Sequence, residues 1–379
     1  MTMIGREATP ASFSNLDRWR SADPVLLVVT LLLSAYGIFA VYVAGTADRE
    51  AYAINQSIGF AVGLAGAIPL ALVDYRFWQR LIKPIYLFVI LMLLAVLVAG
   101  VAAGGAQRWI DVGPVQVQPS EFAKLMMVIV LAGYFAGRSV GETGVFLRSL
   151  GVVGVPAFLV FLQPDLGTAL VFGAIFVVMA YVGGARLWQL GALGGSGMLA
   201  AVLALRFRLL EEYQIARLTA FLDPEAAGDI GYQVTQSKMA IGSGGLTGKG
   251  LDATTLANLG FLPEDHTDFI FANLAERVGF VGSFLLLLLF FLLIWRILHI
   301  ATISRDRFGV LLSVGVATIF LFHVFVNVGM TMGIMPVTGI PLPFISYGRS
   351  SLVVSLLLLG LLQSVAMRSR AEVAKHPKP

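Results

Sequence analysis

Cysteine is absent from the 379 residues, which excludes disulfides, thiolate nucleophiles and Cys-ligated zinc or iron–sulfur centres. Histidine is scarce. The four present, His266, His299, His323 and His376, are never three or four positions apart, so the helical His pair of a zinc site is missing. Charge is scarce too, at 13% of residues against 58% hydrophobic. The net charge of +4 needs no nucleic-acid partner and suits a membrane protein beside anionic lipid. Residues 1–20 lack an apolar h-region and a small-residue cleavage site, and read as a retained cytoplasmic tail rather than a signal peptide.

What is abundant is apolar sequence in long blocks, with a mean hydropathy of +0.86. One soluble core cannot hide that much apolar surface, so the chain is expected to be an all-α polytopic membrane protein. Ten runs approach the length of a span: 24–43, 55–73, 82–99, 122–136, 147–162, 167–182, 187–205, 276–295, 308–327 and 348–366. Ten spans put both tails on one side, and that side collects most of the 26 basic residues, so residues 1–22 and 368–379 are assigned to the cytoplasm. The membrane domain is then 23–367. Its large extracytoplasmic loop, 206–275, lies between the seventh and eighth spans, and shorter outer segments fall at 44–54, 100–121, 163–166 and 328–347. The last of these is rich in Pro and Gly yet nearly uncharged. Such backbone is tolerated at membrane depth only when it is packed in protein or lines a cavity.

Ionisable groups concentrate in "GFLPEDHTDFIFANLAERVG", residues 260–279. Glu264 and Asp268 are four apart and share a face if the following helix begins early. Capping of that helix by Thr267 or Asp268 is the plain alternative, although a carboxylate entering so apolar a run is costly without partners. Glu121 and Lys124 are three apart at another span edge, where a surface ion pair is the ordinary account. Asp165 follows a Pro turn and either caps the next helix or carries chemistry. Arg108 and Trp109 suit an anion and a sugar face, or a membrane-interface pair. Lys238 and Lys249 bracket "GSGG", which lacks the Walker spacing of a phosphate loop. His266 is a supporting position, and His323 reads as a packed helix residue.

Five stretches taken in order resemble the RodA/FtsW family of SEDS membrane glycosyltransferases. They are "QRWIDVGPVQVQPSEFAK", "QPDLGTA", "GYQVTQSKMAIGSGGLTGKG", the acidic stretch above and "NVGMTMGIMPVTGIPLPFISYG", and the likeness runs from about residue 20 to 370. The resemblance implies polymerisation of lipid II on the outer face of a bacterial plasma membrane, without a nucleotide. It also implies a class B penicillin-binding protein as partner. Short tails and motif wording favour the elongation branch and its machinery. By the same resemblance Asp268 is the essential aspartate, and Lys124, Glu121 and Trp109 fall on functional positions. Gln233, Ser237, Lys238, Lys249, Asp165, Glu264 and His266 are carried as further substrate contacts. One departure is visible, Arg349, where the family usually has glycine in "SYGGSS". Close packing or local charge at that span entrance is therefore expected to differ.

The implied reaction joins an α-linked, diphosphate-activated donor to an acceptor hydroxyl with one inversion. A diphosphate leaves as a stable anion, so no protonating acid is needed. One base and a set of cations suffice. Asp268 is the expected base, with Lys124, Arg108 and Lys249 the candidate clamp. No cofactor is required by this scheme, and a divalent cation (Mg or Mn) could share the clamp through Asp268, Asp165 or Glu121. Three rival functions share the same composition: a lipid II flippase, a non-catalytic scaffold activating a penicillin-binding protein, and an ion-coupled transporter. The last is disfavoured because no inverted repeat is evident.

Overall fold

The computed structural model describes residues 21–44, 49–103, 106–113, 115–207, 212–251 and 266–375. Glu264 and most of the N-terminal tail lie outside the described residues. Helices dominate: α1 (Pro24–Ala44), α2 (Arg49–Leu72), α3 (Tyr75–Arg80), α4 (Ile82–Ala99), α5 (Pro119–Ala136), α6 (Thr143–Leu162), α7 (Leu166–Val182), α8 (Leu187–Arg206), α9 (Glu212–Leu222), α10 (Gly228–Ser243), α11 (Ile270–Ile303), α12 (Arg307–Thr331) and α13 (Arg349–Lys375). Between α4 and α5 a small antiparallel sheet interrupts the all-α pattern. Its strands are β1 (Val101–Ala103), β2 (Ala106–Val112) and β3 (Val115–Val117), in the order β1-β2-β3. Val101 pairs with Trp109 and Ile110 with Val117.

Among the described residues nine helices are long and apolar enough to cross a membrane, against the ten expected. The shortfall is α7, an apolar helix of 17 residues. At 1.5 Å per residue it reaches only about 25 Å, less than the ~30 Å of a hydrocarbon core. Counted over the nine, the large segment between α8 and α11 follows the sixth span and precedes the seventh, which corrects its expected position. Helix α11 is also two helices in line. They are broken at Gly279, whose φ of 68° lies in the left-handed region.

Helices α5, α12 and α13 form the interior, while α8 is only 6% buried along its apolar window. Helix α2 packs along α13 in the most extensive helix–helix contact among the described residues. The buried face of α2 is Gln56, Gly59, Gly63, Ala67 and Ala71, spaced three or four apart. A Cβ on Gly63 would stand 2.6 Å from a Leu356 methyl, and one on Gly360 2.5 Å from the Ala67 carbonyl. Small residues let the two backbones meet where lipid gives no hydrophobic drive for association.

The two ends of the bundle differ. At one end the turns are tied by ion pairs: Arg76–Asp306 at 3.3 Å, Arg368–Asp74 at 3.2 Å, and a buried cluster on Asp23. Asp23 caps α1 through the Leu26 N–H at 3.0 Å. Its carboxylate also accepts from Arg296 of α11 and Arg370 of α13, both at 2.6 Å. The first and last helices therefore meet at this end. Burial alone would raise the Asp23 carboxyl. Hydrogen bonds from Arg296 and the Leu26 N–H, with the charges of Arg370 and Arg296, outweigh burial and hold it below the usual carboxylate range.

A depressed carboxyl contributes stability that is complete above its unfolded value, about 3.9, and is lost as pH falls through its folded value. Asp23→Ala leaves two arginines against one empty acceptor and is expected to cost about 3–5 kcal/mol at neutral pH. Thermal unfolding in detergent from pH 8 to 3 checks this. Wild type should lose the Asp23 contribution only below pH ~4, and the variant should have none to lose.

Candidate active site

At the opposite end, residues 332–348 between α12 and α13 fold back among the helices without regular structure, and most of 337–346 are buried. Backbone placed there needs partners, and side chains supply them. Arg217 of α9 donates to the Thr338 carbonyl at 2.9 Å. Asn327 of α12 donates to the Ile340 carbonyl at 2.8 Å, and His323, one turn earlier on the same face, bonds the Pro341 carbonyl at 3.0 Å. Gln56 of α2 reaches the carbonyls of Phe344 and Ser346 at 3.2 Å each.

The turn that carries Asp268 is held by the same framework. Three successive carbonyls are taken up: His266 by the Tyr347 N–H at 2.9 Å, Thr267 by the Ser346 hydroxyl at 2.7 Å, and Asp268 by Asn327 at 3.1 Å. The N-cap of α11 is Phe269, not Thr267 or Asp268. Asp268 itself is half-buried. It faces Gly339. A Cβ built there would lie 3.3 Å from Asp268 Oδ2 and 3.5 Å from Arg217 Nη2. A carboxylate and a guanidinium thus converge on one glycine whose φ of +72° suits no side chain.

Lys124 and Glu121, at the start of α5, are not a surface pair. They are 2% and 3% exposed, and Lys124 Nζ lies 2.6 Å from Glu121 Oε1 and 3.1 Å from His323 Nε2. Two of the three ammonium donors are thereby engaged. Asp165 is the N-cap of α7, accepting the Thr168 N–H at 3.1 Å, with the Ser120 hydroxyl at 3.4 Å and the Gln118 amide at 3.5 Å. The capping alternative thus describes its contacts. Arg108 braces the same turn, donating to the carbonyls of Gln163 and Pro164, while Trp109 is half-buried on β2.

Other expected contacts have local duties. Lys249 pairs with the fully buried Glu276 at 2.6 Å. The glycine run around it pairs with the broken helix: the Phe280 N–H reaches the Gly245 carbonyl at 2.9 Å and the Gly250 N–H the Arg277 carbonyl at 3.1 Å. Its glycines permit backbone approach to Gly279, and the backbone groups used this way do not cradle a phosphate. Ser237 is buried and donates to the Thr331 carbonyl at 2.8 Å, Gln233 is half-buried, and exposed Lys238 lays its stem along Gly333. His266 joins Tyr52 and Tyr347 in a ring cluster, with centroids 5.1 and 5.9 Å away. Arg349 causes no clash: its Cα passes 3.5 Å from a Gly59 Cβ position and its guanidinium reaches Asn55 Oδ1 at 2.6 Å.

Among the described residues no group of three or more His, Asp or Glu side chains is gathered to hold a metal ion. Of the expected donors, Asp165 accepts from the Thr168 N–H and Glu121 from the Lys124 ammonium. Arg217, His323 and Asn327 are the residues that sequence reasoning passed over or discounted. A signal existed for two of them, since polar residues four apart inside "LFHVFVNVGMT" are expensive in a span unless they face partners.

Sequence and structure comparisons agree with this layout. The profile of the FtsW/RodA/SpoVE family, described as cell cycle protein, matches residues 23–371. The chain belongs to that family. It is 38% identical over 349 residues to the peptidoglycan glycosyltransferase MrdB of Escherichia coli K12, covering 90% of this chain and 93% of that one. It is also 38% identical over 354 residues to a probable peptidoglycan glycosyltransferase FtsW of Idiomarina loihiensis, covering 90% and 86%. A solved chain from a peptidoglycan synthase complex that coordinates polymerization and crosslinking superposes with a TM-score of 0.80. That pair is 32% identical and covers 93% of this chain and 99% of the other. This member of the FtsW/RodA/SpoVE family is accordingly an enzyme.

Gly339 tolerates a side chain poorly, through both its φ and its neighbours. Gly339→Ala forces an L-residue into the left-handed region, at about 1–2 kcal/mol, and brings a methyl against both Asp268 and Arg217. The expected result is a small fall in melting midpoint with a loss of glycosyltransferase activity of at least ~10-fold. Unchanged turnover would show that the carboxylate and guanidinium need not meet there.

Proposed function

We propose that this chain polymerises lipid II into β-1,4-linked glycan during cell-wall elongation, with Asp268 as general base. The observation that carries the reading is the convergence of the Asp268 carboxylate and the Arg217 guanidinium on Gly339, in a backbone pinned on all sides. In the step, the acceptor GlcNAc O4–H gives its proton to Asp268 as O4 attacks C1 of the donor sugar. The O4–C1 bond forms, the C1–O bond to the diphosphate breaks, and its electron pair leaves with undecaprenyl diphosphate. One displacement inverts α to β. The leaving group carries its own negative charge, so the protein owes it cations rather than a proton.

Sequence reasoning gave that clamp to Lys124, Arg108 and Lys249. Those three have protein partners, as Arg217 has in the Thr338 carbonyl, but Arg217 is the cation that stands with the base at Gly339, so proximity to Asp268 gives it the first contact with the diphosphate. Lys124 adds positive charge from the interior, and Glu121 holds it. The site end faces outward and both tails face the cytoplasm, which agrees with the distribution of basic residues along the sequence.

Asp268→Asn keeps the shape and removes the base. In detergent, with labelled lipid II and the partner present, polymer synthesis should fall roughly 10²–10⁴-fold while yield and monodispersity stay at wild-type levels. Full activity in that variant would remove Asp268 as base; loss of folding along with activity would make it structural.

A class B penicillin-binding protein is the proposed partner, in keeping with the crosslinking complex whose chain superposes on this one. The pair should copurify in mild detergent, and depletion of the chain should round cells. Separate migration of two folded proteins would count against the partner. Filamentation instead of rounding would move the chain to division.

A further inference from the structure

His323 is 2% exposed on α12, inside an apolar span, and its two ring nitrogens have partners of opposite demand. At Nδ1 stands the Pro341 carbonyl, 3.0 Å away, which can only accept. At Nε2 stands the Lys124 ammonium, 3.1 Å away, which can only donate. These contacts fit one form of the ring: neutral, with the proton on Nδ1 and a bare lone pair on Nε2. An imidazolium would turn an N–H toward an ammonium in a buried site. Lys124 is therefore held between a carboxylate, Glu121 at 2.6 Å, and an imidazole lone pair.

The other side of the ring leads to the base. Pro341 is two residues from Gly339, which faces Asp268, and Asn327, one turn along α12 from His323, bonds both the Ile340 and the Asp268 carbonyls. Helix α12 thus presents two side chains to one strand of backbone, and one of them continues to Lys124.

We propose that His323 is a positioning residue, which fixes the Lys124 ammonium in place and ties it through the Pro341 carbonyl to the segment that sets Gly339 against Asp268. Glutamine can make the same two bonds, accepting from Lys124 through its carbonyl and donating to Pro341 through its amide. Leucine can make neither. This assignment rests on the polymerase reading for its activity measurements, but its geometry is testable without it.

The test uses the full chain in detergent with its partner and labelled lipid II. His323→Leu should lower the polymerisation rate by about 10²-fold, the scale of a catalytic group displaced by an ångström, and His323→Gln should stay within about 3-fold of wild type. Adding Lys124→Met to His323→Leu should cost little more than Lys124→Met alone, because the two act as one unit. A residue that merely packs would give additive losses and no rescue by glutamine. Separately, ¹⁵N-histidine spectra of the wild-type chain, assigned with His323→Gln, should show the neutral Nδ1–H form at His323, and Lys124→Met should shift it.

An active leucine variant, a folded but inactive glutamine variant, additivity, or an Nε2–H or doubly protonated ring would each overturn the proposal. If His323→Leu does not fold, the glutamine variant and the spectrum decide. If wild type makes no polymer, the polymerase reading fails while the spectrum and its response to Lys124→Met still judge the positioning role.

Discussion

Unsatisfied backbone carbonyls inside the bundle are the constraint on which this end of the molecule is built. Residues 332–348 cannot form one helix through "GIMPVTGIPLP", and their carbonyls lie where no strand or helix can take them up. Each buried polar group left without a partner costs a few kcal/mol. Arg217, Asn327, His323 and Gln56, drawn from three helices, supply the donors. Because long side chains from fixed helices do this work, the segment has little freedom, and Gly339 and its neighbours inherit that rigidity. A site that must hold a carboxylate against a charged donor benefits from such a frame, since catalysis rewards groups placed before the substrate arrives.

Charge is distributed by the same economy. Few ionisable groups enter the bundle, and several of those that do are paired. Asp23 is shared by Arg296 and Arg370 at one end; Lys124 is shared by Glu121 and His323 nearer the other; Glu276 is met by Lys249 at the break in α11. Buried pairs of this kind add little net stability, because desolvation consumes most of the Coulombic gain. What they do provide is register: each clamps segments far apart in sequence. The Asp23 cluster brings the beginning of α1 to the end of α13, and Lys124 joins α5 to α12. Asp268 stands half-buried, on a turn whose carbonyls are held by neighbours, with the Arg217 guanidinium at the same glycine.

Much of the architecture was legible in one dimension. Apolar runs mark the spans because a bilayer demands about 20 apolar residues per crossing, and most ends agree within a few positions. Helix α7 departs because length and composition alone do not say whether a short apolar helix crosses or is buried by its neighbours. The sheet at 101–117 was missed because its strands are three to seven residues long and sit beside stronger helical signals. Lys124 and Glu121 were picked out correctly as a pair, yet their burial was not, since a spacing of three fits a surface ion pair equally well. Asp165 turned out to be a cap, and "GSGG" a backbone contact for Gly279.

The sequence by itself determined that this is a multi-span membrane protein without thiol chemistry and with a polar, glycine-broken end, and its motifs pointed to the family to which it belongs. Those properties are sums over local composition and short patterns, which survive without knowing what touches what. Only the tertiary structure decided that Arg217 reaches Gly339, that Lys124 is met by His323, and that Lys249 pairs with Glu276. The partners are separated by 27 to 199 positions in the case of the two lysines. Helix packing sets such distances, and packing depends on many small contacts at once rather than on any motif that can be read along the chain.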